Sequence, residues 1–231
     1  MSKKQEFTGF PKECVKFFKD LAKNNNKQWF DENKDKHLKF VVEPSKDFVV
    51  AMGEKLRAVA PKVNADPRVN KSLFRIHRDT RFSHDKSPYK THLGLWMWEG
   101  AGARMDCPGF YFHIDPPTIM LGVGYYIFPK PILPKYREAV VDRHRGRALR
   151  KAIDAVAKSG DYALGGEHYK RVPRGFDPEH RNADLLRYNS MWAGIEMKIP
   201  KELYTPEIVD FCYAHYKNMN PLHRWLKELA E

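Results

Sequence analysis

The segment from Ser72 to Leu95 (SLFRIHRDTRFSHDKSPYKTHLGL) has the residue types and spacing of an anion-binding site. Five cations and two carboxylates lie within sixteen residues. Guanidinium and ammonium groups bind planar or tetrahedral anions through several N–H donors. The composition therefore predicts a pocket for a ligand that carries phosphate or carboxylate. The charged residues are Arg75, Arg78, Asp79, Arg81, Asp85, Lys86 and Lys90.

An extended backbone would bring part of this set to one face. If residues 73–82 form a strand, alternate side chains point the same way. Asp79 then lies between Arg75 and Arg81, where it can orient one guanidinium and leave the other for a ligand. A solvated salt-bridge face on an edge strand is the alternative. The predicted ligand-binding residues in this segment are Arg75, Arg78, Asp79, Arg81, Lys86, Tyr89 and Lys90.

The same segment offers groups for proton transfer. Asp79 or Asp85 could act as a general base, and Tyr89, His77 or His92 could pass a proton, while the cations neutralise developing negative charge. The candidate catalytic residues are therefore Asp79, Asp85 and Tyr89. Because both carboxylates can instead pair with arginines, an enzyme acting on an anionic substrate is one alternative and simple binding is another.

A metal site could be drawn from five residues of this region and the next strand. Strand alternation places His113 and Asp115 on one face, as a possible pair of nitrogen and oxygen ligands. The surrounding cations would repel a divalent ion, so we predict neither a metal nor a cofactor. The residues considered are His77, Asp79, His92, His113 and Asp115.

A second basic surface is predicted on a helix from Pro134 to about Lys158. Seven Lys or Arg side chains lie between Lys135 and Lys151, and four of them recur at i, i+4, i+7 and i+8 on one helix face. Such a stripe could follow a nucleic-acid backbone, although a solvated face has the same composition. The four residues are Arg143, Arg147, Arg150 and Lys151.

A long polar loop is predicted from Tyr162 to Asp184. Loops of this length inside compact domains are usually functional or disordered. We expect Arg171 and Arg174, with Lys170 and His180, to lie near the Arg-rich segment and to add cations to it. In the contrasting case of a structural or interaction protein, Arg75, Arg78 and Arg81 would all pair with carboxylates and leave no open pocket.

Hydrophobic periodicity predicts the elements that must position these groups. Cys14, Phe17, Phe18 and Leu21 fall on one helical stripe, whereas the period changes to two after Asp66-Pro67. Residues 109–115 and 118–128 read as a hairpin. We predict one α+β domain over residues 1–231, with a mostly antiparallel sheet packed with N-terminal and C-terminal helices. Its parts are a helical layer at about 10–61, a sheet with the Arg-rich segment at about 70–128, and a basic helix, loop, strand and C-terminal helices at about 132–231.

Composition limits the classes of protein to which this chain can belong. The chain has 231 residues, is 42% hydrophobic and carries a net charge of +12, so it can bury a core and attracts polyanions. Cys14, Cys107 and Cys212 are widely spaced and odd in number, which fits a reducing compartment. The N-terminal MSKKQEF has no apolar core and no long apolar run follows, so we expect a soluble, cytoplasmic protein with no membrane partner. The oligomeric state is open.

The motif Arg75-x-x-Arg78-Asp79-x-Arg81-Phe82, followed by Asp85-Lys86-x-x-Tyr89, resembles the signature of a bacterial and fungal family of uncharacterised proteins, domain-of-unknown-function family 2461. The resemblance implies membership of that family and no particular reaction. Two positions depart from the pattern: His77 stands where Tyr is expected, and Arg181 follows His180 where Pro is usual. Further similar segments are NNNKQWF (24–30), DPRVNKSLF (66–74), PGFYFH (108–113), LGVG (121–124) and KRVPRGFDPEH (170–180).

Overall fold

The N-terminal part of the chain is helical in the computed structural model, which describes residues 6–230. Residues 1–5, part of the stretch that argues against a signal peptide, lie outside the described residues. The predicted apolar stripe of the first helix is buried. Asn33 separates the second and third helices of this layer. The elements are α1 (Lys12–Lys23), α2 (Lys27–Glu32), α3 (Lys34–His37), a π-helical turn (Leu38–Val42) and α4 (Glu43–Leu56).

A six-stranded antiparallel sheet follows, with the strand order β1-β2-β3-β4-β6-β5. The predicted hairpin is confirmed as β3 and β4, which are neighbours in the sheet and flank a cis Pro116-Pro117 bond. The α+β class with a mostly antiparallel sheet is therefore confirmed. The strands are β1 (Val63–Asn64), β2 (Leu93–Glu99), β3 (Gly109–Asp115), β4 (Thr118–Tyr125), β5 (Ala163–Glu167) and β6 (Tyr188–Lys198).

The chain divides into two compact units. The first comprises the residues up to Met97 with Tyr111–Leu121 and Glu196–Tyr213, and its core includes the Phe10, Phe48 and Phe112 rings. Phe112 lies 5.6 Å from Phe10 and 4.6 Å from Phe48, centroid to centroid. The second unit comprises Trp98–Phe110, Gly122–Ile195 and Ala214–Glu231. The single-domain organisation stays a prediction.

The core of the second unit is also aromatic. Phe110 and Tyr216 are fully buried with ring centroids 5.4 Å apart. Tyr136 is buried as well, and its hydroxyl donates to the Leu185 carbonyl at 2.9 Å, which satisfies its polar end.

The single basic helix predicted from Pro134 is wrong, since two helices occupy this region: α5 (Ile132–Val141) and α6 (Arg143–Ser159). Asp142 separates them with an extended backbone, and its carboxylate accepts hydrogen bonds from the His144 and Arg145 amides at 3.0 and 2.7 Å. This N-cap begins a new helix where sequence periodicity alone shows none.

The C-terminal helix α7 (Ile208–Ala230) continues through Pro221. Proline removes one helical hydrogen bond. Leu222, Leu226 and Leu229 are buried beyond it, so packing of the apolar face outweighs that loss. Within residues 6–230, none of the helices combines the length and apolar character needed to cross a bilayer.

The predicted strand at residues 73–82 is also wrong. Residues 72–78 instead lie beside residues 88–96, and isolated backbone hydrogen bonds join the two segments. Examples are Trp96 N–H to Ser72 O and Lys90 N–H to Ile76 O, both at 2.8 Å. Beyond residue 78, side chains of this segment bond to its own backbone and end the ladder. Exposure still alternates as predicted: Arg75, His77, Asp79 and Arg81 are exposed, whereas Phe74, Ile76, Arg78 and Thr80 are partly buried.

The long loop predicted after Tyr162 needs a similar correction. Strand β5 occupies its start and pairs antiparallel with β6, with Ala163 opposite Gly194. The two elements form an edge of the sheet. Only the later part of the predicted loop, after β5, is irregular.

Candidate functional site

Arg75 lines a cavity of about 240 Å³ in the first unit, here called the groove. One wall comes from the N-terminal helices and the other from the irregular segment that contains the arginines. No Asp or Glu occurs among the residues of 6–230 that line it. The lining is mostly apolar, with one serine and four basic or imidazole side chains: Phe30, Val41, Val42, Val69, Leu73, Phe74, Ile76 and Leu93, with Ser45, Lys34, His37, Arg75 and His77.

The other two arginines are held by carboxylates. Arg81 donates from Nε to Asp79 Oδ1 at 2.9 Å and from Nη2 to Asp79 Oδ2 at 2.7 Å. Arg78 pairs with Asp85 and also donates to the Ser87 carbonyl at 3.2 Å. These bonds hold the turn that follows the groove and leave Arg75 as the arginine of the motif that lines it.

The two candidate bases have unusually low pKa values. The Arg81 hydrogen bonds lower the pKa of Asp79 to about 2. Hydrogen bonds from Ser87, and then from Arg78, lower the pKa of Asp85 to about 2. A carboxylate this acidic is a weak general base near neutral pH. The geometry therefore favours a positioning role for both residues, while catalysis at this segment stays a prediction.

Tyr89 and the two lysines are engaged within the segment. The Tyr89 ring is buried and stacks on Phe30 with a centroid distance of 4.2 Å, and burial raises the pKa of its hydroxyl. Lys86 Nζ donates to the Thr80 carbonyl at 2.9 Å. Lys90 Nζ lies 5.3 Å from the centroid of the Phe74 ring.

Asn25 fixes Tyr89 from the helical side. Its side-chain amide donates to the Tyr89 carbonyl at 2.9 Å, and its side-chain oxygen accepts from the Tyr89 amide at 3.1 Å. Both backbone polar groups of Tyr89 are thereby satisfied although the residue is buried. This reciprocal pair ties the N-terminal helices to the wall of the groove.

Two groove residues were missed by sequence reasoning. Lys34 and His37 line the groove, and Phe30, Lys34 and His37 follow an i, i+4, i+7 spacing that could have signalled a shared helix face. His37 packs against Phe17 and Phe30 at centroid distances of 5.3 and 5.4 Å. Burial, and then the charge of His77, lowers the pKa of His37 to about 4.

The remaining predicted cations belong to the second unit. Arg171 and Arg174 are exposed in the irregular chain after β5, and their approach to the Arg-rich segment stays a prediction. On α6, three predicted stripe residues are exposed: Arg143, Arg147 and Lys151. Arg150 instead pairs with Asp184 and donates to the Asn182 side chain at 3.0 Å, so it is part of the local packing.

A second cluster in the first unit joins His92, His113 and Asp115, with one donor atom from each residue within 4.8 Å of the others. His113 and Asp115 lie on β3 as alternation predicts, and His92 immediately precedes the neighbouring strand β2. Burial lowers the pKa of both histidines to about 4, with the charge of His113 as the next cause for His92. Both imidazoles are therefore neutral at pH 7.

A family model described as "Conserved hypothetical protein (DUF2461)" matches residues 13–225. The chain belongs to this family. The matched range includes the groove, the Arg-rich segment and the histidine cluster, so the predicted family membership is confirmed, while the signature motif stays an expectation. No curated protein matches the chain significantly. Membership of the DUF2461 family brings no reaction with it, and a function has to be argued from the side chains.

Proposed function

We propose that the protein binds a small ligand with an apolar body and a phosphate or carboxylate group in the groove. The observation that carries this proposal is the position of Arg75 on a cavity of about 240 Å³ that has an apolar lining. Binding sites for small molecules typically combine apolar walls with a few placed polar groups. The cavity is smaller than those that hold drug-sized ligands, which favours a compact ligand.

The charges around the groove support an anionic ligand. Arg75 and Lys34 both line it, and the described lining residues include no carboxylate that would compensate them. A guanidinium can bind two oxygens of a carboxylate or phosphate at once. Apolar walls strengthen such a pair because they exclude water from it.

The carboxylate pairs narrow the set of binding residues. Arg78 and Arg81 are neutralised by Asp85 and Asp79, so we assign them to holding the turn. Arg75, Lys34, His37 and His77 are the groups we propose to contact the ligand.

The test is a calorimetric titration of the full chain with phenyl phosphate, phenylacetate and inorganic phosphate. Loss of one charge-assisted hydrogen bond costs about 1.5–3 kcal/mol, so Arg75→Gln should weaken binding of the first two ligands roughly ten- to hundred-fold. Arg57→Gln is the matched control, since it removes the same charge from an exposed arginine of the same unit that does not line the groove. Its affinity should equal that of wild type.

Three outcomes oppose the proposal. These are no binding of any of the three anions, equal losses in both variants, and full binding by Arg75→Gln. Circular dichroism of each variant checks that the fold is kept, and Lys34→Gln provides a second probe of the groove if Arg75→Gln does not fold.

Nucleic-acid binding is a second candidate, supported by the exposed face of α6. Arg143, Arg147 and Lys151 recur every four residues along it, and the chain carries a net charge of +12. An Arg143→Gln, Arg147→Gln variant should weaken oligonucleotide binding for all sequences alike and reduce its salt dependence. If the affinity for oligonucleotides is unchanged by both substitutions, this face of α6 is excluded as the nucleic-acid-binding surface.

A cytoplasmic location is also kept as a proposal. Cys14, Cys107 and Cys212 are free and buried thiols, a state that suits a reducing compartment. Fractionation of cells that produce the tagged protein tests this, and recovery from an oxidising compartment would contradict it.

A further inference from the structure

Although the sequence alone predicts no metal, the clustering of three donors leads us to propose that His92, His113 and Asp115 form a binding site for a divalent transition-metal ion of the Zn²⁺ type. One donor atom from each residue lies within 4.8 Å of the other two. His113 and Asp115 lie on β3, and His92 immediately precedes the neighbouring strand β2, so the backbone fixes their spacing. None of them lines the groove, and the proposal is independent of the function proposed above.

The spacing is close to that of a metal site. Donors bound to one tetrahedral Zn²⁺ at about 2.1 Å lie roughly 3.4 Å from one another. His113 Nε2 and Asp115 Oδ2 are 3.9 Å apart. The Asp115 side chain is 53% exposed, and the three donor atoms, all within 4.8 Å of one another, would have to move closer by about 1 Å to bind one ion.

Tyr111 positions one of the ligands. Its hydroxyl lies 2.7 Å from His113 Nδ1, so the opposite ring nitrogen, Nε2, faces Asp115. With an ion on Nε2, Nδ1 keeps its proton and donates it in a hydrogen bond to the Tyr111 oxygen. Metal-binding histidines almost always have such a partner on the second nitrogen, because it fixes the tautomer and the ring orientation.

Gly94 leaves the space that this arrangement needs. A Cβ atom at this position would lie 3.0 Å from the Tyr111 hydroxyl and 3.3 Å from the Phe74 ring. A side chain there would press on Tyr111 and so on the His113 ring. The sequence thus keeps room for the hydroxyl that orients the proposed ligand.

The donor set indicates the kind of ion. Two imidazoles and one carboxylate suit Zn²⁺ or Fe²⁺, whereas Mg²⁺ and Ca²⁺ prefer oxygen ligands throughout. Three protein donors leave at least one position for water or a ligand oxygen. Asp115 supplies the negative charge, and the positive charges of Lys90 and Arg78, which act on His92, oppose binding and limit the affinity.

The experiment titrates metal-free full-length protein with Zn²⁺ by calorimetry and with Co²⁺ by visible absorption, which reports nitrogen and oxygen coordination. We expect one ion per chain. His113→Ala and His92→Ala should abolish this binding, and Asp115→Asn, at an exposed position that tolerates substitution, should weaken it at least ten-fold. His84→Ala removes an exposed histidine of the same unit and should bind as wild type does.

Two further variants distinguish a specific metal site from non-specific binding of Zn²⁺ to histidines. Tyr111→Phe should weaken the affinity ten- to hundred-fold without removing a ligand. Lys90→Gln should tighten it several-fold because it removes a repelling charge. The proposal is overturned if Zn²⁺ does not saturate at one site, if binding survives His92→Ala or His113→Ala, if Asp115→Asn binds as tightly as wild type, or if His84→Ala loses binding equally.

Discussion

Arg81 and Asp79 form a bidentate ion pair, with hydrogen bonds of 2.9 and 2.7 Å between the guanidinium and the carboxylate. Arg75 belongs to the same alternating set of side chains but lines the groove. The arginines of the motif therefore fall into two groups, which differ in whether a carboxylate pairs with them. One kind is neutralised and stabilises the turn, and the other lies on an apolar cavity whose described lining includes no carboxylate.

Asn25 should contribute more to stability than its neighbour Asn24. Asn25 satisfies both backbone groups of the buried Tyr89, so Asn25→Ala leaves a buried N–H and C=O without partners and should lower the free energy of unfolding by about 2 kcal/mol. Asn24 is exposed and bonds only locally to the Asp20 carbonyl, so Asn24→Ala should have a much smaller effect. Urea unfolding measures both, and equal costs would contradict the role of Asn25.

Acid should destabilise the protein through His37. Its pKa is about 4 in the folded chain and 6.5 in the unfolded chain, so between these values the unfolded state binds more protons. The stabilisation is complete above pH 6.5 and is lost as the pH falls toward 4. His37 alone should account for about 1 kcal/mol between pH 7 and 5.5. His92 and His113 act in the same direction.

The measurement compares urea unfolding of wild type and His37→Gln at pH 7 and pH 5.5. The variant should lose less stability than wild type on acidification. A variant with the wild-type loss would show that His37 does not titrate as described.

Gly124 should resist substitution because the neighbouring strand lies against it. Its φ is +135°, and a Cβ atom would lie 2.3 Å from the Met191 carbonyl oxygen on β6. We expect Gly124→Ala to cost at least about 2 kcal/mol, from backbone strain and displacement of that strand. Gly175 has a φ of +90°, and no atom of the described residues would lie within 4 Å of a Cβ atom there, so Gly175→Ala should cost only the strain, about 1 kcal/mol. Equal costs in thermal unfolding would contradict the close strand contact.

The sequence predicted those elements whose periodicity is strong. The stripe on α1 and the β3–β4 hairpin follow directly from apolar spacing, and the α+β class follows from them. The close contact of the β6 backbone with Gly124, in contrast, is not reported by apolar spacing. Alternation in the Arg-rich segment was also predicted, although no regular strand forms there.

The failures have local causes. Asp142 began a new helix because its carboxylate caps two amides, and this capping competes with the helical period on either side. In the Arg-rich segment, Asp79 and Asp85 bond to the Arg81 and Ser87 amides and end the strand pairing. Both outcomes depend on side-chain bonds that hydrophobic periodicity does not report.

The candidate sites depend on contacts that are distant in sequence. Lys34 and His37 join Arg75 across the groove, and no short-range pattern connects these positions. His113 and Asp115 could be paired by alternation, whereas His92 reaches them only through the pairing of β2 with β3. The packing of the N-terminal helices had to be known before the groove could be assembled, and the order of the strands before the histidine cluster could be.

The central claim is that Arg75 recognises the charged group of a ligand whose apolar body occupies the groove. The most direct measurement is the ratio of the affinities for phenyl phosphate and uncharged benzyl alcohol, compared between wild type and Arg75→Gln. We predict that wild type prefers the phosphate and that Arg75→Gln loses roughly ten-fold or more of that preference while its affinity for benzyl alcohol is unchanged. The same preference in both proteins would contradict the claim.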